Sequence, residues 1–273
     1  MADRDAGSEP ALVSLSPVQP DDVSDLLRVH VAAFKTDQFS NLMLLNRDED
    51  AHREVMGRSI RRWMSDPAAR LTGALDADGR LVGWSCWIVK TGYEEEPAPV
   101  REPPPPATTT TTTTTTDAAR AGGGAAGAGQ ADKHDGGGAP AEAAQKEQED
   151  PARALGGLMF RDMTSWEDRH LRGRRYAVLQ ALATDPRHQR RGVATELVRH
   201  GLEEVVDPRG LPCWIHASPA SRGVYARAGF EEVGRSDYDL DEWAPGGKGG
   251  NRGWGRYTFR YMLRPAKNDP PVA

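Results

Sequence analysis

A stretch of low-complexity sequence divides this chain and limits what the rest of it can fold into. Residues 94–150 contain four consecutive prolines, then nine consecutive threonines, then two runs rich in glycine and alanine. No large aliphatic residue occurs between Arg101 and Asp150. Such a segment cannot bury enough apolar surface to offset the entropy that it loses on ordering. We therefore predict a disordered insertion over residues 94–154, with a phosphorylated regulatory loop as the alternative.

The folded part must then come from the sequence on both sides of this insertion. The chain has a formal net charge of -5, but residues 94–153 hold eleven acidic and five basic residues, so the remainder is close to neutral. A near-neutral folded part argues against general nucleic-acid binding. We predict a single domain over residues 10–265, interrupted by the insertion, with flexible termini at 1–9 and 266–273.

The cysteines and the apolar runs bear on the compartment. Cys86 and Cys213 are the only two cysteines, they are far apart, and they form no C-x-x-C spacing. We predict two buried thiols in a reducing compartment, with no disulfide scaffold and no metal site. The first residues lack the basic start and apolar run of a signal peptide, and no run of 18 apolar residues exists. We expect a cytoplasmic protein with no membrane partner, and the nucleus is not excluded.

The block before the insertion predicts two helices and three strands. The stretch QPDDVSDLLRVHVAAF carries one apolar stripe at helical spacing. His30 lies on that stripe, and we interpret it as a packed core residue rather than a ligand. A second helix is predicted over residues 48–65. Strands are predicted in ALVSLSPV, RLTGALDA and RLVGWSCWIVK, the last two joined by the hairpin signal Asp78-Gly79.

The block after the insertion alternates helices and strands. A helix is predicted in LMFRDMTSWEDRHL, and the apolar run RRYAVLQALAT predicts a central strand. Short elements follow: the strand LPCWIHAS, the helix SRGVYARAGF ending at Gly229, and the strands EEVGRSDYDL and GRYTFRYML. A glycine-rich loop separates the last two. The helix after the central strand should bury one face, made of Val193, Leu197, Gly201, Leu202 and Val205. This order predicts an α/β domain around a mixed sheet.

The densest stretch of the chain is DPRHQRRGVATEL, residues 185–197, directly after the predicted central strand. A helix start leaves N–H groups unpaired and carries partial positive charge, so it can bind a phosphate. Gly192 allows a close approach of the backbone, and Ala194 is small. Arg187, Arg190 and Arg191 can add charge-assisted hydrogen bonds. This turn predicts a site for a compact polyanion, plausibly a pyrophosphate.

Two ordered motifs then carry a resemblance to a known family. The turn contains Q-x-x-G-x-A, as Gln189, Gly192 and Ala194, whereas the Walker A and dinucleotide-binding patterns are missing from the sequence. Further along, the chain contains Y-x-x-x-G-F, in which Tyr225 is the first residue and Phe230 the last. Together these segments resemble the GNAT superfamily of N-acetyltransferases. The resemblance implies a mixed, mostly antiparallel central sheet flanked by helices.

The resemblance also implies a ligand and a set of contacts. The polyanion would be acetyl-coenzyme A, bound as a co-substrate. The strand would pair its backbone with the pantetheine arm, and the turn would bind the pyrophosphate. Tyr225 would be the acid that protonates the leaving thiolate. The residues that it assigns to cofactor binding are Leu182, Ala183, Thr184, Gln189, Arg190, Arg191, Gly192, Val193, Ala194, Thr195, Ser218 and Ser221.

The implied function is transfer of the acetyl group to a primary amine, with a small molecule as the expected acceptor, by direct attack. The alternatives are a protein acetyltransferase acting on a lysine or an N-terminus, a non-catalytic acyl-coenzyme A binding module, and a solvated basic turn with no ligand. The sequence leaves open the acceptor, the oligomeric state and the general base. Candidates for the base, by element placement, are Glu167, Asp168, Asp185 and His216. We predict no nucleic-acid partner, because no aromatic residues interleave with the basic ones.

Overall fold

A computed structural model describes residues 13–45, 47, 50–91, 151–244, 253–267 and 269. The predicted insertion up to residue 150, the first twelve residues and most of the glycine-rich loop lie outside the described residues. The strands of the described part are β1 (Ser14–Pro17), β2 (Ala69–Leu75), β3 (Leu81–Lys90), β4 (Tyr176–Thr184), β5 (Cys213–Ala217), β6 (Glu231–Asp239) and β7 (Arg256–Arg264). The helices are α1 (Val23–Phe34), α2 (Gln38–Met43), α3 (Ala51–Ser65), α4 (Pro151–Leu171), α5 (Val193–Gly201), α6 (Arg222–Arg227) and α7 (Leu240–Trp243).

The strands form one seven-stranded sheet in the order β1-β2-β3-β4-β5-β7-β6. Every neighbouring pair is antiparallel except β4 and β5, which run parallel. The prediction of a mixed, mostly antiparallel sheet flanked by helices is therefore confirmed. The run predicted as the central strand is β4, the fourth of the seven.

Helices cover both faces of this sheet. Tyr176 and Val178 of β4 belong to the core cluster that contains α4, whereas Ala177 and Leu179 belong to the cluster under α5 and α6. Successive strand residues point to opposite faces, so α4 lies on one face while α5 and α6 lie on the other. Helix α1 is fixed to β3 by Trp84, whose indole N–H donates to the Leu26 carbonyl over 3.1 Å.

The apolar faces predicted for the helices are confirmed. All five residues named for α5 and its continuation are buried. Gly201 belongs to this face because the Trp87 ring lies against it, and a Cβ on Gly201 would meet that ring at 2.0 Å. His30 is 2% exposed and stacks on Phe34 with ring centroids 4.4 Å apart, which confirms it as a packed residue.

Some predicted boundaries are wrong. Helix α4 begins at Pro151, so residues 151–154, which we assigned to the insertion, are helical, and Leu155 is fully buried. The boundary was predicted too late because the first turns of α4 are rich in alanine and glycine, like the insertion before them. The C-terminal tail, which we predicted to be flexible from residue 266, begins with packed residues. Ala266 is buried, and Asp269 forms an ion pair with Arg174 at 2.5 Å. The short helices α2 and α7 were not predicted, because fewer than two turns leave no periodic pattern.

Candidate active site

The two parallel strands at the centre of the sheet separate from each other. They pair at Ala177 with Cys213 and at Val178 with Trp214, and no further pair follows along β4. Strand β4 nevertheless continues to Thr184. The backbone groups of its second half therefore have no strand partner on the β5 side, and a cleft opens there. The three β4 residues assigned to the pantetheine arm, Leu182, Ala183 and Thr184, lie in this unpaired half.

A β-bulge in β4 coincides with the separation. Cys86 pairs with Ala181 and Trp87 pairs with Leu179, so Gln180 is an extra residue with no partner in β3. An extra residue of this kind bends a strand and increases its twist. The buried amide nitrogen of Gln180 has no hydrogen-bond partner among the described residues, and this side chain lines the cleft. A polar group left unpaired at such a point is available to a ligand.

The turn after β4 is built around a buried carboxylate. Asp185 is 3% exposed and accepts hydrogen bonds from the backbone N–H and the side chain of Arg187, and one from Arg28 at 3.2 Å. The hydrogen bond from Arg187 is the main cause that lowers the pKa of Asp185 below its ordinary value. Arg187 is thus held in the turn itself, which is a different position from the phosphate contact that we predicted for it.

The start of α5 has the backbone that the predicted anion site requires. Gly192 is the N-cap residue with φ +88, in the left-handed region that favours glycine. A Cβ built on Gly192 meets no atom within 4 Å, so the space beside it is open. The side chain of Gln189 donates to the Thr184 carbonyl over 3.2 Å and ties the turn to the end of β4. This N-terminus has the open space and the dipole that fit a pyrophosphate.

The remaining residues predicted for the turn differ in exposure. Arg190 and Arg191 are exposed, and neither has a hydrogen bond or ion pair to another described residue. Arg190 also has a φ of 62, which is unusual for a residue with a side chain. Val193 is buried in the core, Ala194 is half-buried and Thr195 is exposed. Of this group, the backbone and the two arginines face solvent where an anion can reach them.

The cleft leads into a cavity of about 120 Å³ that has walls on both sides of the sheet. Tyr225 of α6 lines it and belongs to the core cluster under α5. Met159 of α4 and Tyr257 of β7 also line it, and both belong to the cluster on the opposite face. The cavity therefore passes through the sheet where β4 and β5 separate. Two molecules that enter from opposite faces can meet inside it.

Tyr225 lies deep in this cavity. It is 5% exposed, and its ring contacts the Phe230 ring edge-on at 6.1 Å. Burial raises the pKa of Tyr225 to about 12, and a hydrogen bond with Ser221 opposes that shift in part. The hydroxyl groups of Ser218 and Ser221 are 3.0 Å apart, and both residues line the cavity. The phenol is therefore protonated at neutral pH and has the two serines beside it.

The sequence of this site matches a family. Residues 129–230 match the model of the acetyltransferase (GNAT) family, and this span contains both motifs, since it ends at Phe230. Over these residues the chain is similar to the GNAT acetyltransferase family. A comparison with curated proteins finds no match.

Solved structures share the fold of this chain. Arylalkylamine N-acetyltransferase 2 from Aedes aegypti has a TM-score of 0.56 at 12% identity, over 93% of this chain and 98% of its own. An agmatine N-acetyltransferase has a TM-score of 0.52 at 11% identity, over 92% of this chain and 98% of its own. A protein from Corynebacterium glutamicum described as histone acetyltransferase HPA2 and related acetyltransferase has a TM-score of 0.50 at 15% identity, over 95% and 99%. At these identities the likeness concerns the fold.

Of the four candidates for the general base, the fold brings one into the cavity. Asp185 is engaged in its turn, and Asp168 lies on the outer side of α4, where it pairs with Arg172 at 3.7 Å. Glu167 accepts hydrogen bonds from Lys90 at 2.5 Å and from Tyr176, at the opposite end of β4 from the turn.

His216 is the candidate that lines the cavity, and its environment does not suit a base. Its Nε2 accepts a hydrogen bond from the Trp214 indole over 2.8 Å, so the proton of the neutral ring is on Nδ1. Burial lowers the pKa of His216 to about 4, which keeps the ring neutral at physiological pH. His216 therefore has a hydrogen to donate and no free lone pair.

Two residues of the cavity carry no signal in the sequence. Asp37, the N-cap of α2, lines it, and so does Tyr257, whose hydroxyl donates to Asp37 over 2.9 Å. The two residues are 220 positions apart in the chain, and neither belongs to a motif. The hydrogen bond between them depends on the packing of α2 beside the cavity.

Other chemistries have less support in the described residues. Cys86 and Cys213 are free and fully buried, as predicted, and burial raises the pKa of both thiols, which disfavours a covalent acyl carrier. Within the described ranges, no group of three His, Cys, Asp or Glu side chains is placed to hold a metal ion. No described helix is both long and apolar enough to cross a membrane.

Proposed function

We propose that this protein transfers the acetyl group of acetyl-coenzyme A to the primary amine of a small molecule, by direct attack of the amine. The observation that carries the proposal is the cavity itself. It contains the unpaired half of β4 at Leu182, the buried phenol of Tyr225 and an apolar chamber lined from the other face of the sheet. The α5 start follows this half of β4 in the chain.

The donor side rests on the turn and on β4. Acetyl-coenzyme A supplies an acyl group that is activated as a thioester. In the proposal, the N–H groups from Gln189 to Thr195 bind its pyrophosphate, with added charge from Arg190 and Arg191. The unpaired backbone of Leu182, Ala183 and Thr184 hydrogen-bonds to the pantetheine amides as an additional strand would.

The transfer step requires stabilisation of an oxyanion and of a thiolate. A backbone N–H of β4 near Ala183 is our proposed donor to the oxyanion. The Tyr225 hydroxyl is our proposed donor to the leaving sulfur, with Ser218 and Ser221 holding it in place. The general base remains unassigned, because the only candidate in the cavity, His216, is a donor in its observed hydrogen bonding.

The choice of a small acceptor rests on the residues that line the apolar part of the cavity, which we call the acceptor chamber. Phe34, Phe39, Met56, Trp63 and Met159 all line it, so the chamber is narrow and largely apolar. A protein substrate requires an open groove for an extended backbone. Two proteins that share this fold are named for small amines, arylalkylamines and agmatine. A cytoplasmic location stays part of the proposal, in keeping with the two buried free thiols.

Release of free thiol from acetyl-coenzyme A tests the proposal directly. We expect release with at least one small primary amine, and none with peptides that carry a free lysine or N-terminus. Faster release with peptides than with any small amine would favour the protein acetyltransferase instead. Binding of acetyl-coenzyme A without release in any mixture would favour the non-catalytic module.

The anion site has its own test in Gly192→Asp. The new carboxylate would stand beside the bound phosphates, and two like charges about 4 Å apart repel by about 4 kcal/mol at an effective dielectric constant of 20. Titration calorimetry should therefore show a loss of affinity of about 100-fold or more. Gly210→Asp is the matched control, because Gly210 also has a left-handed φ, 58, with open space beside it, and lies beyond the far end of α5. Equal affinity of the wild type for acetyl-coenzyme A and for dephosphorylated pantetheine would show that the turn does not bind phosphate.

A further inference from the structure

Among the described residues, one carboxyl group lines the acceptor chamber. Of the residues that line the cavity, Asp37 is the only Asp, Glu, Lys or Arg. The two histidines that line it are neutral at physiological pH, since burial lowers the pKa of His30 to about 3 and that of His216 to about 4. The field inside the chamber is therefore that of a single negative charge with apolar walls around it.

Among the described residues, this carboxylate has only neutral hydrogen-bond donors. Asp37 accepts one hydrogen bond from the Ser40 backbone N–H at 2.8 Å and one from the Tyr257 hydroxyl at 2.9 Å. Both donors are neutral. In the part of the chain that the structure describes, no Lys, Arg or His forms an ion pair with Asp37. A half-buried carboxylate held by neutral donors alone gains most from a cation that enters the chamber.

Aromatic rings stand around the same carboxylate. The rings of Phe39 and Tyr257 lie 5.7 Å apart, and those of Tyr257 and Phe259 also lie 5.7 Å apart. All three line the cavity. Aromatic faces attract organic cations, and they do so more strongly when water is excluded. A carboxylate with a row of rings beside it is a recognition site for an ammonium or guanidinium group.

This carboxylate is remote from the place where the acyl group would react. Phe259 lies beside His216, with ring centroids 6.4 Å apart, and Tyr257 lies two residues before Phe259 in β7. Two residues of a strand span about 7 Å. The reacting amine of an acceptor near Tyr225 and a group bound at Asp37 are therefore separate parts of the acceptor.

We infer that the acceptor is an aliphatic amine whose far end carries a second positive charge, and that Asp37 binds this far end. The inference rests on the proposed function and names its substrate class. It assigns Asp37 to acceptor recognition, with Tyr257 and Ser40 holding the carboxylate in position. An acceptor with a neutral or an acidic far end would leave the carboxylate unpaired or would repel it.

Three acceptors of equal chain length test the inference, namely 1,5-diaminopentane, pentylamine and 5-aminopentanoate. Their far ends are positive, neutral and negative, while the reacting amine is the same. We expect kcat/KM from thiol release to fall in that order, by about tenfold or more from the diamine to pentylamine, since a charge-assisted hydrogen bond is lost. Equal values for the first two acceptors, or a preference for pentylamine, would overturn the inference.

Asp37→Asn supplies the decisive comparison. Asparagine is also a good N-cap residue, so α2 should persist and the variant should fold. It should raise KM for 1,5-diaminopentane to that for pentylamine and leave kcat unchanged. Tyr257→Phe retains the carboxylate and should keep the preference for the diamine. The matched control is Asp239→Asn, because Asp239 caps α7 in the same manner, through Asp241 N–H, and does not line the cavity. Survival of the preference in Asp37→Asn would also overturn the inference.

Calorimetry separates a failure of this inference from a failure of the proposed function. The diamine and pentylamine are titrated into the protein without an acetyl donor, so no turnover is needed. Tighter binding of the diamine that is lost in Asp37→Asn supports the cation site even if no amine releases thiol, in which case the proposed function alone fails. Thiol release with pentylamine, together with equal binding of both amines, supports the function and overturns the cation site.

Discussion

Replacement of Tyr225 by phenylalanine tests the proposed leaving-group role, and the burial of this side chain determines how large the effect should be. Burial raises the pKa of Tyr225 to about 12. An ordinary thiol has a pKa of about 8.5, so the thiol is the stronger acid of the two. A phenol in this environment does not give its proton fully to a thiolate. It stabilises the thiolate by donating a hydrogen bond to it.

The size of the effect follows from that role. A hydrogen bond to a charged group contributes about 1.5–3 kcal/mol. Each 1.36 kcal/mol of barrier is a factor of ten, so Tyr225→Phe should lower kcat by about 10- to 150-fold. A complete general acid would contribute about 100- to 10,000-fold, which is the larger loss that the motif alone suggests. The affinity for acetyl-coenzyme A should be unchanged, because the contact between this ring and Phe230 remains.

The assay is thiol release at saturating concentrations of both substrates. Chemistry must be rate-limiting, which is checked by showing that kcat is insensitive to solvent viscosity. Tyr238→Phe is the matched control, since Tyr238 is another buried tyrosine, donates to Asp162 at 2.5 Å and lies outside the cavity. It should lower stability and leave kcat unchanged. Full kcat in Tyr225→Phe under these conditions would refute the role.

Two predictions concern stability. Gly201→Ala would place a Cβ at 2.0 Å from the Trp87 ring. Overpacking of this kind costs about 1–3 kcal/mol, and the better helix propensity of alanine returns about 1 kcal/mol, so urea unfolding should show a net loss of up to about 2 kcal/mol. Gly157→Ala, whose Cβ would meet only the end of the Arg161 side chain at 3.5 Å, is the control and should stabilise the protein. Acid should destabilise the fold, because His30 and His216 have pKa values lowered to about 3 and about 4 and the unfolded chain therefore binds more protons than the folded one. Unfolding free energies should fall by about 1.4 kcal/mol per pH unit for each histidine as the pH drops from about 6 to about 4, and stay level above about pH 7. A flat profile over that range would contradict the burial of both rings.

The donor side of the site was predictable from sequence because its determinants are local. A strand, a turn with a glycine and a helix start follow one another within about twenty residues, and the proposed anion site consists of backbone groups that any sequence of this pattern provides. The detail that failed is Arg187. Its partner, Asp185, lies only two residues earlier and is the N-cap of the 3-10 turn that contains Arg187. The sequence therefore already shows a carboxylate that competes with a phosphate for this guanidinium.

The acceptor side was not predictable, because its residues come from distant parts of the chain. Asp37 caps a six-residue helix, and Tyr257 lies near the start of the last strand. Neither a short helix nor the end of a strand leaves a periodic signal in the sequence. Their meeting depends on α2 packing beside α4 and β7, which only the tertiary structure specifies. The sequence therefore supports a proposal for the donor and the reaction class but none for the acceptor.

The cleft itself arises from one residue that the sequence pattern hides. RRYAVLQALAT reads as a continuous apolar strand, yet Gln180 has no partner in β3 and forms a bulge. Because of the bulge, Val178 before it and Ala181 after it point to the same face of the sheet. Val178 belongs to the core cluster under α4, and Ala181 packs against the cluster under α1 and α3. The last pair between β4 and β5, Val178 with Trp214, lies two residues before the bulge. A bend at that point turns β4 away from β5 and leaves its second half free. The same extra residue that interrupts the ladder thus accounts for both the unpaired backbone of the proposed donor site and the passage to the proposed acceptor chamber.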